Sequence, residues 1–462
     1  MHVKVIPRKV LDRYPVVKRI AKRLIATVPL SLRLGRTFWE WYAFFEESEH
    51  WSRSKLTSFQ MDCLRTLLSE LYRTSGFYQS RLSGIDFSSL DTLEQFQDQV
   101  PLLTREQFRE NFSEIRSSHI AEKRLSKVST SGTTGMALQF YHSVKDNARE
   151  WAAICHQWRR VGYFPSESIR AEFRGLTSHG KLVEVFPRHN MIRCSILHLK
   201  KEHIHLYSDE IRKYKVKFLH GYPSAIYLLA RGICESGVDF PQPTAILLAS
   251  EYVHDWQLVQ IQTAFPNSLL FAHYGCAERT VLGGWCEYRK EYHILPQYSL
   301  VEVDQSSSEI IGTNLYNTIN GFVRYRMSDT VVEVDEEYCP DCGRSYTRFI
   351  KIGGRFEDYL FSTLTGWIPM VSVNLPFKRL KEIRETQLLQ KEESKILIRY
   401  TVREGAEHTG VEAEVSQILS GMHHLFGNEM SISFERVDDF PRDAGGKFKW
   451  IICELDKTPR SD

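Results

Sequence analysis

Seven residues decide the fold expected for this chain: Ser129-Thr130-Ser131-Gly132-Thr133-Thr134-Gly135. They follow Leu125-Ser126-Lys127-Val128, whose alternating pattern predicts a strand. A strand that runs into such a loop can wrap an anion, because backbone N–H groups and hydroxyls donate hydrogen bonds to phosphate oxygens. The loop lacks the Gly-Lys-Ser/Thr ending of a nucleotide P-loop. The alternative interpretation is a flexible surface turn that binds nothing.

The composition is that of a folded globular protein. The chain has 462 residues, with 42% hydrophobic and 25% charged residues, so two domains are expected. Its 60 Lys and Arg residues nearly balance 57 Asp and Glu residues, so the overall charge does not call for a nucleic-acid partner. The nine cysteines form no regular framework and fit a reducing compartment.

The first 39 residues are the basic exception. They hold ten Lys or Arg residues against the single acid Asp12, interleaved with apolar residues. This arm is interpreted either as a basic amphipathic helix on an anionic membrane surface or as a solvated arm packed on the main domain. The uncharged run over 24–32 is too short for a membrane span and contains Pro29. We therefore expect a cytoplasmic protein, with peripheral contact at the inner face of the membrane as an option for residues 1–39.

Helix patterns precede and follow the loop. Apolar residues spaced by three and four predict a helix over 56–73, with Thr57 or Ser58 as its cap. Thr104 and Gln107 have the spacing of a capping box, and Ser143 is the expected cap of a helix that carries two tryptophans.

Strands and helices then alternate. Strands are expected over 216–219, 245–249 and 268–272, and helices over 226–233 and 253–265. This alternation predicts crossover connections and a largely parallel sheet, in which ligand sites lie beyond the carboxyl ends of the strands. From residue 292 the pattern becomes strand-rich, which predicts a separate small sheet or barrel. We expect a basic N-terminal arm with helices over 1–55, a large domain over 56–354 and a small domain over 355–462.

Four short motifs follow the loop in order. The first is Tyr274-Gly275-Cys276-Ala277-Glu278, which suits an aromatic ring on a base and a carboxylate on a divalent cation. The second ends in Asp329, which can accept hydrogen bonds from a ribose. The third is Gly354-Arg355-Phe356-Glu357-Asp358, at the expected domain junction, and the fourth places Lys447 on a glycine-rich loop. Each motif alone is more commonly a turn, a surface ion pair or a solvated loop.

Taken together and in this order, the motifs resemble the adenylate-forming superfamily of acyl-CoA synthetases, peptide-synthetase adenylation domains and luciferases. The resemblance spans Pro101 to Lys447. The segments Pro101-Leu102-Leu103-Thr104, Gly221-Tyr222-Pro223-Ser224 and Cys339-Pro340-Asp341-Cys342-Gly343-Arg344 look most like the phenylacetate-CoA ligase branch. The basic arm and the Tyr274 motif look closest to relatives encoded with capsular and surface polysaccharide genes.

The resemblance implies a large α/β N-terminal domain with parallel sheets and a small strand-rich subdomain, then a small mobile α+β C-terminal domain. A carboxylic acid would attack the α-phosphate of ATP, release pyrophosphate and pass as an acyl group to a thiol such as coenzyme A. The implied roles are phosphate binding by Ser131, Gly132, Thr133, Thr134 and Gly135, adenine stacking by Tyr274 beside Gly275, magnesium binding by Glu278, ribose binding by Asp329, nucleotide contact by Arg355, hinge motion at Asp358 and catalysis by Lys447.

The chain departs from the family pattern at three places. Ala277 stands where a threonine usually precedes the acidic residue, and Met136-Ala137 replace the lysine and proline that often follow the loop. The glycine-rich strand that usually shapes the thiol tunnel has no counterpart over 364–369. These departures bear on coenzyme A more than on ATP, and the acceptor stays open between coenzyme A, a carrier protein and an amino sugar.

Cys339 and Cys342 have the spacing of one half of a structural zinc site. Cys286 and His293 are the best candidates for the other two ligands. The alternatives are a buried turn with reduced thiols and, less commonly, a redox pair. His220 and His273 each precede a motif turn and could face the pocket, although a core or rim histidine with satisfied hydrogen bonds is the more common outcome.

We therefore expect an ATP-dependent acid-thiol ligase whose partner is a small carboxylic acid. One alternative is a degenerate acyl- or aminoacyl-transfer protein in polysaccharide assembly that does not use coenzyme A. Another is a zinc-ribbon protein that binds nucleic acid, which the near-neutral composition beyond residue 39 disfavours. The sequence does not define the acid or the oligomeric state.

Overall fold

The computed structural model describes most of the chain between residues 27 and 455. The described ranges are 27–117, 122, 125–129, 138–174, 177, 181–196, 198–199, 201–253, 255–352, 359–369, 373, 375–377, 380–403, 405–440 and 450–455.

Twelve α-helices, numbered here in chain order, occur among the described residues. They are α1 (Leu30–Leu34), α2 (Arg36–Ser48), α3 (Arg53–Thr74), α4 (Gly76–Arg81), α5 (Leu93–Gln99), α6 (Arg105–Glu110), α7 (Phe112–Ile115), α8 (Val144–Trp158), α9 (Ile204–Lys213), α10 (Pro223–Ser236), α11 (Asp255–Ala264) and α12 (His408–Phe426). None of these helices combines the length and apolar character that crossing a membrane requires.

Twenty strands are numbered in the same way. They are β1 (Ser126–Ser129), β2 (Gln139–His142), β3 (Arg170–Phe173), β4 (Val183–Phe186), β5 (Met191–Cys194), β6 (Phe218–Gly221), β7 (Ala245–Ala249), β8 (Leu269–Gly275), β9 (Leu282–Trp285), β10 (Tyr292–Ile294), β11 (Leu300–Val303), β12 (Glu309–Thr313), β13 (Tyr325–Asp335), β14 (Arg348–Ile352), β15 (Tyr359–Ser362), β16 (Gly366–Pro369), β17 (Ile383–Glu392), β18 (Lys395–Val402), β19 (Ser431–Arg436) and β20 (Ile451–Cys453).

One sheet of twelve strands forms the centre of the fold, in the order β11-β12-β13-β14-β10-β9-β8-β7-β6-β3-β5-β4. Strands β5, β3, β6, β7 and β8 run parallel, as the alternation of strands and helices predicted. Helices α10 and α11 supply the crossovers between β6, β7 and β8. The carboxyl ends of these strands therefore meet at one edge of the sheet.

The strand-rich part does not form the separate sheet expected from residue 292 onward. Strand β9 pairs antiparallel with β8, and β10 pairs with both β9 and β14, so the antiparallel strands continue the parallel sheet. Helix α8 approaches this junction closely: a Cβ at Gly284 would lie 2.3 Å from Oε1 of Gln157 on that helix. Side chains at this position would separate the junction from helix α8.

Local capping explains where several helices begin. The expected capping box is present at α6, between Thr104 and Gln107, and Ser143, the expected cap of α8, also forms a capping box with Asp146. Helix α3 starts earlier than expected, because Ser52 rather than Thr57 or Ser58 accepts the capping hydrogen bond, from the N–H of Lys55. A hydroxyl in the first turn satisfies donors that lack a partner inside the helix.

Two apolar cores lie in the larger part of the protein. One packs helices α8 to α11 against the parallel strands, and the other packs α3 to α6 against the antiparallel strands. Helix α2 joins the first core through Phe38, Tyr42 and Phe45. The described end of the basic arm therefore packs on the main domain; residues 1–26 lie outside the described residues, so membrane contact there stays a prediction.

The C-terminal part has a core of its own. Helix α12 covers a four-stranded sheet of order β19-β18-β17-β20, and Ile418, Met422 and Phe426 are buried against it. Strands β15 and β16 form a hairpin that precedes this sheet. This α+β arrangement follows the larger α/β part along the chain, as expected from the sequence.

Candidate active site and metal centre

Strands β1 and β2 form a hairpin around the predicted anion loop. Ser129 pairs with Gln139, so the two ends of the loop are held as close as neighbouring strands. The predicted site residues that lie outside the described residues are Ser131, Gly132, Thr133, Thr134, Gly135, Arg355, Asp358 and Lys447. Their roles stay predictions.

A hydrogen bond joins this hairpin to the Tyr274 motif. Nε2 of His142, at the end of β2, lies 3.1 Å from the carbonyl oxygen of Ala277. Burial, assisted by Arg279, lowers the pKa of His142 to about 4, so the ring is neutral near pH 7. Because a carbonyl only accepts, Nε2 carries the proton. The hairpin around the anion loop is thereby tied to the residue that precedes Glu278.

Two residues predicted to bind the nucleotide contact each other directly. The hydroxyl of Tyr274 donates a hydrogen bond to Oδ2 of Asp329 at 2.7 Å. The ring of Tyr274 is half-buried and lies near the rings of Tyr292 and Phe349, with centroids 6.2 and 6.5 Å away. Adenine stacking and ribose binding were assigned to these two residues, and the structure brings them together.

This contact requires a curled sheet. Tyr274 is on β8 and Asp329 on β13, and three strands separate them in the sheet order. In a flat sheet four strand spacings would place them about 19 Å apart. A tyrosine and an aspartate side chain together bridge much less than that, so the antiparallel strands bend round to bring β13 over the end of β8.

The turn after β8 depends on a glycine. A Cβ at Gly275 would lie 3.1 Å from Cδ1 of Leu282 and 3.3 Å from the carbonyl of Val281. The turn leads to Glu278, which is 7% exposed and whose carbonyl accepts a hydrogen bond from Nδ2 of Asn314 at 3.4 Å. The backbone of the predicted magnesium ligand is thus fixed from the strand-rich side.

Arg324, in the motif that ends in Asp329, pairs with a different acid. It is buried and forms an ion pair with Glu302 at 2.9 Å. Its Nη1 donates to the carbonyls of Gln97 and Val100, both at 2.6 Å. The N–H of Leu103 donates to the carbonyl of Arg324 at 2.9 Å, so the Pro101-Leu102-Leu103-Thr104 segment is fastened to the start of β13.

The Gly221-Tyr222-Pro223-Ser224 turn lies at the carboxyl end of β6 and faces the end of β7. The carboxylate of Glu251 accepts hydrogen bonds from the N–H and the hydroxyl of Ser224, each at 3.0 Å. Burial raises the pKa of Glu251 to about 7, although the Ser224 hydrogen bonds oppose the shift. Glu251 was not among the predicted site residues; its place directly after a buried strand is the signal that could have identified it.

The four predicted metal ligands lie together. One ligand atom from each of Cys286, His293, Cys339 and Cys342 falls within 4.8 Å of the other three, and Cys342 Sγ lies 3.6 Å from His293 Nδ1. Cys286 and His293 come from the β9–β10 hairpin, and the two other cysteines from the β13–β14 connection. Ligands of a tetrahedral zinc ion are separated by about 3.5 to 3.8 Å. The geometry therefore suits such an ion.

The Cys339–Cys342 turn is shaped like one half of a metal knuckle. The N–H of Gly343 donates to the carbonyl of Cys339 at 2.9 Å, and Gly343 has a φ of +73° that favours glycine. The sulfur of Cys339 accepts hydrogen bonds from the backbone of Cys342 and Asp341. Donors around the sulfur stabilise thiolate charge.

Arg344 anchors this turn to the rest of the protein. Its guanidinium donates to Glu49 at 2.9 Å and to both carboxylate oxygens of Glu287 at 2.7 and 2.9 Å. Glu287 follows Cys286 directly, so the arginine connects both halves of the cluster. A cavity of about 400 Å³ adjoins it, lined by Glu49, Arg159, Arg160, Glu287, Tyr288 and Arg344. Among the described residues, none of those predicted to bind the nucleotide lines that cavity.

Comparisons with known proteins agree with this architecture. Residues 360–454 match the family model described as the CapK C-terminal domain. Protein CapK of Staphylococcus aureus is 22% identical over 392 residues, which cover 83% of this chain and 86% of CapK.

Two crystal structures of 2-hydroxyisobutyryl-CoA ligase share the fold. The postadenylation complex with 2-HIB-AMP superposes with a TM-score of 0.56 at 15% identity, covering 88% of this chain and 92% of the ligase. The thioesterification complex with 2-HIB-AMP and CoA gives a TM-score of 0.58 at 17% identity, over 88% and 91%. The resemblance inferred from the motifs is confirmed at the level of the fold.

Proposed function

We propose that this chain, which has the fold of the adenylate-forming CoA ligases, uses ATP to activate a carboxylic acid as an acyl-adenylate. The observation that carries the proposal is the hydrogen bond between Tyr274 and Asp329 at 2.7 Å. This hydrogen bond joins two residues that are far apart in the sheet order. The His142–Ala277 hydrogen bond holds the β1–β2 hairpin, which carries the anion loop, next to the Tyr274 motif.

In the proposed reaction the carboxylate oxygen forms a bond to the α-phosphorus of ATP, and the bond to the bridging oxygen of pyrophosphate breaks. The acid is already ionised near neutrality, so no general base is needed. Tyr274 would stack on adenine, Asp329 would hold the ribose, and the hydroxyls of the anion loop would hold the leaving pyrophosphate. Lys447 would neutralise charge that accumulates in the transition state.

Glu278 would hold magnesium, because a carboxylate oxygen is the ligand that this ion prefers. When bound, the ion supplies positive charge against the phosphates. The acyl group would then pass to a thiol, with coenzyme A as the first candidate. The similarity to CapK supports a role in capsule or surface polysaccharide biosynthesis, and the nine free cysteines support action in the cytoplasm.

Pyrophosphate exchange into ATP tests the proposal. We expect a panel of carboxylic acids to contain at least one that supports exchange by the full chain. Lys447→Ala should lower that exchange about 100-fold or more. The matched control is Lys391→Ala, since the Lys391 side chain is 64% exposed and pairs only with surface Glu454 among the described ion pairs. Absence of exchange with every acid would contradict the proposal.

We also propose that Cys286, His293, Cys339 and Cys342 hold a structural zinc ion. Two observations support this: the ligand atoms lie within 4.8 Å of one another, and Nδ1 of the fully buried His293 lies 3.6 Å from Sγ of Cys342. Four protein ligands would leave no position for a substrate. Elemental analysis of the purified chain should find one zinc per molecule; a metal-free, fully folded preparation would overturn this assignment.

A further inference from the structure

Buried imidazoles with unsatisfied ring nitrogens lie beneath helix α8, at the carboxyl ends of the parallel strands. His220 is 3% exposed, and neither of its nitrogens has a hydrogen-bond partner among the described residues. Nδ1 of His273 and Nε1 of Trp158 are also buried and also lack a hydrogen-bond partner among the described residues. Among the described residues, both ring nitrogens of His220 and Nδ1 of His273 thus lack the partners expected of satisfied core histidines.

The three rings form one cluster. Ring centroids lie 4.8 Å apart for Trp158 and His220, 6.0 Å for Trp158 and His273, and 6.2 Å for the two histidines. In the strand register His220 pairs with Glu172 and with Leu247, and His273 pairs with Ala249, so these side chains share the sheet face that α8 covers.

The cluster adjoins the proposed adenylation site. His273 immediately precedes Tyr274 on β8, and consecutive strand residues point to opposite faces. His220 precedes the Gly221-Tyr222 turn in the same way. A ligand that crosses the carboxyl end of β8 would therefore meet Tyr274 on one side and the imidazoles on the other. Such strand ends are where ligands bind in open α/β sheets.

The imidazoles are neutral. Burial, with Arg174 as the next cause, lowers the pKa of His273 to about 3 and that of His220 well below its usual range. The nearest carboxylate oxygen to His220 Nδ1 in the described ion pairs is Glu172 Oε1, at 3.8 Å, and Glu172 is already paired with Arg193 at 2.7 Å. Arg170 also faces the cluster, and its Nη1 donates to the hydroxyl of Tyr163 at 3.0 Å.

A neutral imidazole offers one N–H donor and one lone pair. A hydroxyl, which donates once and accepts twice, can satisfy both kinds of atom. An alkyl or unsubstituted aromatic group would leave them buried without partners, which costs free energy. An ammonium group would need an unpaired negative counter-charge, whereas the Glu172 carboxylate is committed to Arg193.

We infer that the carboxylic acid activated by this chain carries a hydroxyl group on its acyl part, which hydrogen-bonds with His220 and His273. This inference rests on the proposed function and names the substrate class of the same site. Trp158 would provide its N–H and its ring edge beside the hydroxyl-bearing carbon. His220 and His273 are specificity-determining residues in this proposal.

Matched pairs of acids test the inference. Each pair consists of a hydroxylated acid and the acid with the same carbon skeleton that lacks the hydroxyl, compared by pyrophosphate exchange. We expect the wild-type chain to favour the hydroxylated member at least about tenfold in kcat/KM, since a site built for a hydroxyl rejects the analogue that lacks it. Equal or better activity with the deoxy member would overturn the inference.

Substitutions test whether His220 and His273 produce the preference for the hydroxylated acid. His220→Leu should reduce the preference at least about tenfold, while His220→Gln, which keeps one donor and one acceptor, should retain most of it. His205→Leu is the control, because His205 is exposed on α9. A preference that survives unchanged in His220→Leu and His273→Leu would overturn the assignment to these residues.

Failure of the hydroxyl inference can be distinguished from failure of the proposed function. Exchange with deoxy acids alone contradicts the hydroxyl inference and leaves acid activation in place. Exchange with no acid contradicts the proposed function, and the inference fails with it. Melting curves of each variant, compared with His220→Gln, separate lost recognition from lost folding.

Discussion

The hydroxyl of Tyr274 and the carboxylate of Asp329 meet at 2.7 Å across the curl of the central sheet. Each side chain therefore restricts the orientation of the other. The contact orients the Tyr274 ring and leaves one oxygen of Asp329 outside it. Pre-orientation of this kind reduces the entropy that binding must overcome.

Substitutions at this pair should separate orientation from direct binding. Tyr274→Phe keeps the ring and loses the hydrogen bond, so we expect KM for ATP to rise about fivefold, the equivalent of about 1 kcal/mol. Asp329→Ala removes the ribose acceptor as well and should lower kcat/KM for ATP about 100-fold. Initial rates of pyrophosphate exchange at varied ATP check both. Tyr288→Phe, at an exposed tyrosine, is the control; an unaltered KM in Asp329→Ala would refute the ribose role.

Loss of one cysteine ligand should remove the metal and destabilise the strand-rich part. We expect Cys339→Ser to abolish zinc binding and to lower the free energy of unfolding by about 3 kcal/mol or more, since metal affinity contributes to folding. Metal analysis and thermal melting with and without chelator measure this. Cys234→Ser, at an exposed cysteine, should change neither quantity. If both variants melt alike, the cluster is only a buried turn.

His142 should make the fold sensitive to acid. Its pKa is about 4 in the folded protein, below its usual value near 6.5, because burial and then Arg279 disfavour the charged ring, although Asp146 opposes them. The unfolded chain therefore binds the proton more readily, so the contribution is fully present above pH 6.5 and is lost as the pH falls towards 4. Between pH 7 and pH 5 this loss is about 2 kcal/mol.

His142→Gln retains a donor for the Ala277 carbonyl and cannot titrate. Its free energy of unfolding should decrease about 2 kcal/mol less than that of the wild type over the same pH range. Denaturant titrations at several pH values give the two slopes. His205→Gln should behave as the wild type does, and parallel slopes for His142→Gln and the wild type would rule out this source of acid sensitivity.

Removal of one partner of the buried pair Arg324–Glu302 should lower the free energy of unfolding far more than replacement of both partners by apolar residues. Glu302→Ala leaves a buried guanidinium without its carboxylate and should destabilise the protein by about 3 to 5 kcal/mol. The double variant Arg324→Met/Glu302→Leu removes both charges and should recover much of that loss in urea unfolding. Glu40→Ala, in the pair with Arg36 whose side chains are 55% and 92% exposed, should cost less than about 0.5 kcal/mol.

Local signals predicted much of this molecule. The capping box at Thr104 and the helix cap at Ser143 could be predicted because both depend on residues that are near in the sequence. The four candidate metal ligands were also expected to lie together, and they do, since cysteine and histidine are few and their chemistry restricts what they can do together. Strand and helix alternation indicated the parallel part of the sheet, because each crossover leaves its own pattern.

Contacts between residues that are distant in the sequence could not be predicted from these local patterns. Strand β9 pairs with β8, but the change to a strand-rich pattern from residue 292 does not specify strand partners, and so a separate sheet was expected. His142 was not singled out, because its partner Ala277 lies 135 residues away and contributes only a carbonyl. Ser52 was missed as the cap of α3 because the apolar pattern begins several residues after the helix does.

The four candidate metal ligands come from two parts of the chain that are far apart in sequence. One pair of ligands precedes strands β11 to β13 and the other follows them. The pairs can meet only after that whole segment has been synthesised and has closed into a loop, and long loops close slowly and at an entropic cost. Asp329 lies within the loop. A zinc ion that bridges the pairs would therefore join them late in synthesis, and would hold strand β13 in place while the remaining C-terminal residues are still being added.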